Sequence, residues 1–202
     1  MIHLYRRPAL LPLLALFLTL SSGPATADKI PIQEQTPAGA RQKIATTILA
    51  DIGQATWIAE GKGPHVVYIF FDPNCPACNQ LHHALRPSVE RGDVELRWIP
   101  VGILMLTSHG KAAALLEAKD RHAALQENKA KFNNATGFGG ISEEPLPAET
   151  TVKQLDANAK LLKHTANMAV PTLVFRDKDN KATVIQGVPP AAHLERMIKE
   201  LK

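Results

Sequence analysis

The sequence has 202 residues, a formal net charge of +4 and two cysteines. A chain of this length can bury one real core, and with only two cysteines it is not a disulfide-stapled scaffold. The charge gives no argument for a nucleic-acid partner, and it falls from +4 to +2 once Arg6 and Arg7 leave with the N-terminal leader described next.

Residues 1–27 read as a signal peptide. Arg6 and Arg7 form its positive region, Ala9 to Leu20 is an apolar run containing Pro12, and Ala25-Thr26-Ala27 is a small-x-small cleavage site before Asp28. The run is short for a bilayer span, which leaves an uncleaved anchor as the other reading. No cysteine stands at the cleavage point to carry a lipid. Export places the mature chain where disulfides form, and the short basic leader fits the bacterial periplasm.

Residues 28–63 read as an N-terminal segment with a linker-like helix, ahead of a domain over 64–202. Asp28 to Gln35 is a polar lead-in. Thr36-Pro37 reads as N-cap and first helical residue, and Ile44, Ile48, Ile52 and Ala55 follow at helical spacing until Gly61 and Gly63. This helix either packs on its own domain or links to a partner. Val66 to Phe71 is continuously apolar, as a central strand buried on both faces should be. It leads into Asp72-Pro73-Asn74-Cys75-Pro76-Ala77-Cys78 and a helix expected from Cys75 to about Glu90, kinked at Pro87 and stopped by Gly92. Val94 to Ile99 alternates apolar and polar as a second strand. Strand, helix, strand in that order predicts a right-handed unit with parallel strands.

A loop over 101–108 follows, then helical stretches from Gly110 and from Arg121 to Phe132, then an irregular stretch over 133–147. Thr151-Val152-Lys153-Gln154 fits a capping box, with Val152, Leu155, Ala159, Leu162 and Ala166 on one helical face. Thr172 to Phe175 and Ala182 to Gln186 read as a hairpin around the turn cluster Asp177 to Lys181. Pro189-Pro190 opens a last helix. The fold class is therefore α/β, with a mainly helical insertion over roughly 104–168 between a βαβ half and a ββα half.

Cys75 and Cys78 carry the chemistry. A thiolate is the nucleophile in disulfide exchange, and a free cysteine, with a pKa of about 8.5, ionises too little at neutral pH. Open N–H groups at a helix N-terminus stabilise the anion. Cys75 is the expected attacking thiol, more acidic and more exposed, and Cys78, one turn further in, the resolving one. Pro76 suits the first helical position. A structural disulfide is an alternative, although so short a loop constrains the unfolded chain little. A zinc site of Cys75, Cys78 and His82 or His83 lacks a second ligand pair to complete it. Haem attachment needs a histidine where Asn79 stands.

This order of elements, with its motifs, resembles the thioredoxin superfamily and, within it, the periplasmic disulfide isomerase family of DsbC and DsbG. The DsbG-like matches are Trp57-Ile58-Ala59-Glu60-Gly61-Lys62, Phe71 to Cys78, Val101-Gly102-Ile103, Gly110 to Asp120, Val170-Pro171-Thr172 and Gln186-Gly187-Val188-Pro189. The resemblance covers roughly 57–202 and implies a thioredoxin fold. It implies that Pro171 is a cis-proline facing the cysteines, presenting the Val170 backbone to a bound peptide. From the residues alone, a strand-initiating proline is the alternative.

The chain also departs from that family. Residues 28–63 leave room for the helix and not for the family's N-terminal dimerisation domain, so a family-type dimer is not expected. Val170 stands where DsbC and DsbG resemble each other in having threonine, and is similar to the oxidase DsbA. Ala77 offers Cys75 no hydrogen bond. Ile69 stands where thioredoxin has a buried acid. Asp72 either tunes the site or caps the turn, and at least one of His82 and His83 should be solvated or satisfied in the core.

The leading expectation is periplasmic interchange of disulfides, or reduction of sulfenic acids, in exported proteins. It uses no cofactor or metal, and a DsbD-type membrane protein supplies electrons. The alternatives are a monomeric DsbA-like oxidase served by a DsbB-type partner, and a thiol-independent chaperone or assembly factor.

Overall fold

A computed structural model of the protein describes residues 37–201. The signal peptide, its cleavage site, the polar lead-in and Thr36 lie outside the described residues. In chain order the elements are α1 (Ala38–Ala50), β1 (Ile58–Glu60), β2 (His65–Phe71), α2 (Pro76–Glu90), β3 (Val94–Pro100), α3 (Ser108–Glu117), α4 (Arg121–Ala130), α5 (Glu149–Leu162), β4 (Thr172–Arg176), β5 (Ala182–Gln186) and α6 (Ala191–Lys199). The five strands form one sheet in the order β1-β3-β2-β4-β5.

The central strand is β2, because its residues are apolar on both faces. Val67, Ile69 and Phe71 join one core with Leu81 and Leu85 of α2, Leu115 of α3, Leu125 of α4 and Met197 of α6. Phe70 faces the other core, with Ile99, Val174, Val184 and Leu161. An alternating strand sandwiched in this way presents no polar face, which is why the run is continuous in sequence. β2 pairs in parallel with β3, Phe71 opposite Pro100, and antiparallel with β4, Phe70 opposite Thr172. The expected βαβ and ββα halves are both present, with α3, α4 and α5 between them.

The structure departs from expectation in three places. The helical pattern stops at Ala50, followed by a single 3-10 turn at Ile52–Gln54. The residues before Gly61 are then extended as β1, pairing antiparallel with β3. Gly61 has φ +83° and lies so close to the Val94 carbonyl that a Cβ would collide with it, so it ends the strand rather than a helix. Second, α1 has Pro37 at its N-cap rather than as its first helical residue. It lays the fully buried Ala45 and Ile48 on the second core, against β4 and β5. Of its two readings, packing on its own domain is the one observed. Third, the capping box at Thr151 does not form. Ala148 is the N-cap, Thr151 is buried in the first turn, and Glu117 of α3 accepts a hydrogen bond from Ala148 N at 2.8 Å. No helix among the described residues is long and apolar enough to cross a membrane.

Ile48→Ala tests the role of α1. A helix that only linked would tolerate it. A helix sealing a core is expected to lose about 2–5 kcal/mol of unfolding free energy, read from the urea midpoint.

Candidate active site

At the end of β2 the chain turns through Asp72, Pro73 and Asn74 and delivers Cys75 as the N-cap of α2. Cys75 has the extended backbone of an N-cap, φ −96° and ψ 111°, and its Sγ accepts a hydrogen bond from Cys78 N at 3.1 Å. Pro76 occupies the first helical position. Cys75 and Cys78 are joined as a disulfide. Cys75 keeps 3% exposure and Cys78 none, in the expected order but by a small margin. Across from them the Val170–Pro171 peptide bond is cis, and the Val170 carbonyl oxygen lies 3.7 Å from Cys75 Sγ. Gly187 N donates to the Pro171 carbonyl at 2.8 Å and Thr172 Oγ1 to the Ala169 carbonyl at 2.6 Å, which holds this segment in place. Cys75, Cys78, Val170 and Pro171 are thus brought together.

Asp72 is fully buried and its carboxylate accepts four hydrogen bonds. Asn74 N (2.8 Å) and Ser108 Oγ (2.7 Å) reach Oδ1, while Ile103 N (2.8 Å) and Leu104 N (3.0 Å) reach Oδ2. It therefore caps the cysteine turn and ties it to the loop after β3. Asn74 extends the tie: Nδ2 donates to Thr107 Oγ1 at 2.9 Å and Ser108 Oγ at 3.1 Å, and Oδ1 accepts from Gly139 N at 3.0 Å. Asn128 Nδ2, from α4, donates to the Pro73 carbonyl at 3.1 Å. Gly139 fits between Asn128 and Pro73 where any Cβ would collide.

A buried charge cluster lies behind this turn, assembled from residues far apart in sequence that no local pattern joins. Glu60 Oε2 accepts from Trp98 Nε1 at 2.8 Å and Oε1 from Gln126 Nε2 at 2.7 Å. His82 Nε2 lies 3.3 Å from Glu60 Oε1, within ion-pair distance but out of line for a good hydrogen bond. Burial pushes the Glu60 carboxyl up. The His82 imidazole beside it, with the Gln126 and Trp98 donors, more than offsets this and holds it at about 2. Lys129 Nζ is buried without a hydrogen-bond partner, 4.7 Å from the Phe71 ring centroid and 5.3 Å from that of Trp98. Burial brings it down to about 7 against the pull of Glu60 and Asp72. His82 is the histidine held in the core and His83 the exposed one. Among the described residues no group of three His, Cys, Asp or Glu side chains is placed to hold a metal ion.

A thioredoxin-like domain model matches residues 52–202. The chain belongs to the thioredoxin-like family. The thiol:disulfide interchange protein DsbG of Pseudomonas aeruginosa is 34% identical over 147 residues, 72% of this chain and 56% of the relative. DsbG of Escherichia coli is 33% identical over 141 residues, 67% of this chain and 54% of the relative. The chain therefore spans about half the length of the curated relatives it matches. Among solved structures, a linker-deletion variant of Proteus mirabilis ScsC shares the fold with a TM-score of 0.59 at 22% identity, over 80% of this chain and 83% of that one. A disulfide interchange protein from Neisseria gonorrhoeae superposes with a TM-score of 0.51 at 25% identity, over 73% of this chain and 95% of that one.

In this thioredoxin-like chain the two buried charges act on stability over different pH windows. Lys129 lies below its unfolded value of 10.5, so its contribution is complete above that pH and is lost as pH falls towards about 7. Glu60 lies below 4.5, so its contribution is present above 4.5 and is lost as pH falls through about 2. In urea unfolding across pH, Lys129→Met is expected to stabilise at pH 7 by on the order of a few kcal/mol and to flatten the alkaline rise. Glu60→Gln is expected to destabilise at pH 7, with the difference closing near the acid limit.

Proposed function

We propose that this chain exchanges thiols and disulfides in exported proteins of the periplasm, with Cys75 as attacking and Cys78 as resolving thiol. The observation that carries this is the Cys75–Cys78 pair at the open first turn of α2, with the Val170 carbonyl 3.7 Å from Cys75 Sγ. Kinship with proteins named as DsbG supports it.

In the reduced protein, Cys75 works as a thiolate. The Cys78 N–H, which already points at its sulfur, stabilises the charge. The thiolate attacks one sulfur of a client disulfide. That S–S bond breaks, and the other client sulfur leaves with the electron pair as a thiolate and takes up a proton. The client is now held to Cys75 as a mixed disulfide, its backbone hydrogen-bonded beside Val170 and Pro171 in the manner of an added strand. A second client thiolate can attack the client sulfur of that bond and expel Cys75, which rearranges the client with no net electron transfer. Alternatively Cys78 loses its proton and attacks Cys75 Sγ, expelling the client thiolate. Two electrons then pass to the client and the Cys75–Cys78 disulfide closes. A DsbD-type membrane partner would reopen it. Attack on a client sulfenic acid is the same step with hydroxide leaving as water. No cofactor enters this scheme.

Val170 favours a second reading, a monomeric oxidase that runs the cycle backwards and is recharged by a DsbB-type partner. Trapping free thiols in intact cells with a mass-adding alkylating agent separates the two. The isomerase or reductase reading expects mostly reduced Cys75 and Cys78, and a mostly oxidised pair would replace it with the oxidase. Titration against glutathione adds a scale, with about −270 mV typical of thioredoxin and about −120 mV of DsbA. Cys75→Ser is expected to return insulin reduction by the purified protein to the uncatalysed rate.

A further inference from the structure

The exchange cycle leaves one proton without a recipient. Before Cys78 resolves the mixed disulfide it must become a thiolate. An exposed thiol ionises by giving its proton to solvent. Cys78 is 0% exposed, and burial disfavours the anion, so its proton needs a base inside the protein.

The buried polar atoms around α2 point to that base. His82 follows Cys78 by four residues on the helix, and both are among its buried residues. Side chains at this spacing share one face, with Cβ atoms about 5–6 Å apart. A helical side chain also leans back over the preceding turn, which carries His82 towards Cys78. Cys78 and Trp98 belong to one core, and the His82 ring packs on Trp98 with centroids 5.5 Å apart. His82 is 3% exposed, yet neither ring nitrogen has a hydrogen-bond partner among the described residues. An imidazole that only filled the core would be bonded at one nitrogen at least.

Nε2 of His82 faces Glu60 Oε1 at 3.3 Å. Glu60 is fixed there, because Trp98 Nε1 donates to Oε2 at 2.8 Å and Gln126 Nε2 to Oε1 at 2.7 Å. A proton on Nε2, beside this carboxylate, leaves Nδ1 as the acceptor. Thiol, imidazole and carboxylate thus follow one another from α2 to β1, a nucleophile, a base and a group that orients the base. Two other titratable groups face this set. His83 stands edge-on to His82 with centroids 5.7 Å apart, and Lys129 of α4 lies 5.3 Å from the centroid of the Trp98 ring that His82 also touches.

Resting on the exchange reading above, we infer that His82 is the general base that takes the Cys78 proton, with Glu60 as its positioning residue. In the mixed disulfide, the Cys78 thiol gives its proton to His82 Nδ1. The Cys78 thiolate attacks Cys75 Sγ, and the bond from Cys75 to the client sulfur breaks. That sulfur leaves with the electron pair and takes a proton from water. The imidazolium, steadied by Glu60, then returns its proton to water, and the balance closes. When a partner thiolate later opens the Cys75–Cys78 disulfide, the leaving Cys78 sulfur recovers a proton from the same imidazolium.

The test mixes reduced protein with one equivalent of an aromatic disulfide whose released thiolate is coloured, and follows the colour by stopped flow. The first release is second-order and reports attack by Cys75. The second is independent of concentration and reports resolution by Cys78. In His82→Gln and His82→Phe the second release is expected to slow about 100-fold or more at pH 7, the scale of a lost general base, with the first unchanged. The gap is expected to narrow above about pH 9, where a thiol ionises without help. Glu60→Gln is expected to slow the second release less, with the same pH dependence. A second release as fast in both His82 variants as in the wild type would overturn the inference. So would an equal slowing at every pH, which would make His82 a packing residue. Slowing in Lys129→Met with none in His82→Gln would overturn it too, by assigning the proton to the amine. A first release no faster than that from glutathione would instead remove the exchange reading and this inference with it.

Discussion

A single buried carboxylate organises this site. Asp72 has no solvent contact, and an anion placed there is tolerated only because four donors converge on it. Those donors come from two chain segments, the cysteine turn and the loop that opens α3. The carboxylate converts two loops at one end of the sheet into one rigid body. The 3.7 Å separation between Cys75 Sγ and the Val170 carbonyl is meaningful only if the turn is fixed to this degree. Asn74 and Asn128 repeat the device further out, each joining the turn to the insertion through buried amide hydrogen bonds.

The insertion is therefore part of the site rather than a decoration on the fold. It also supplies Gln126 and Lys129 to the cluster around Glu60. Ala77 lends nothing polar to Cys75, so the thiolate depends on the first turn of α2 and the N–H of Cys78. Position 69, where the resemblance to thioredoxin would place an acid, is an isoleucine buried in the core. Besides Asp72, the acid buried among the described residues is Glu60, brought in from a different strand.

Local pattern makes most of this legible in the sequence. The continuous apolar run of β2, the alternation of β3, the β4–β5 hairpin and the cysteine turn each have a period or a turn chemistry contained within a few residues. The failures share a cause, which is that the deciding partner is distant in sequence. β1 is three residues long and exists because Ile58, Ala59 and Glu60 pair with Trp98, Arg97 and Leu96. Glu60 reads as a surface charge until Gln126, 66 residues away, is seen to bond it. Lys129 lies in a polar run, Gln126-Glu127-Asn128-Lys129, that has the composition of a solvated helix face. Thr151 to Gln154 matched a capping box, but Glu117 of another helix supplied an acceptor three residues earlier and the helix began there. Of the readings of Asp72, the capping one is what its bonds describe.

The seat of α1 has a consequence for how the molecule is made. α1, at the beginning of the described chain, closes its core against β4 and β5, near the end. A ribosome or an export channel delivers the chain from its N-terminus, so this layer waits for almost the whole chain to emerge. Cys75 and Cys78 arrive midway, well before Val170 and Pro171. During that interval they are two ordinary thiols on an unfinished domain, open to partners that the completed surface would exclude. For that time the nascent chain exposes the two thiols that its folded form holds at the first turn of α2.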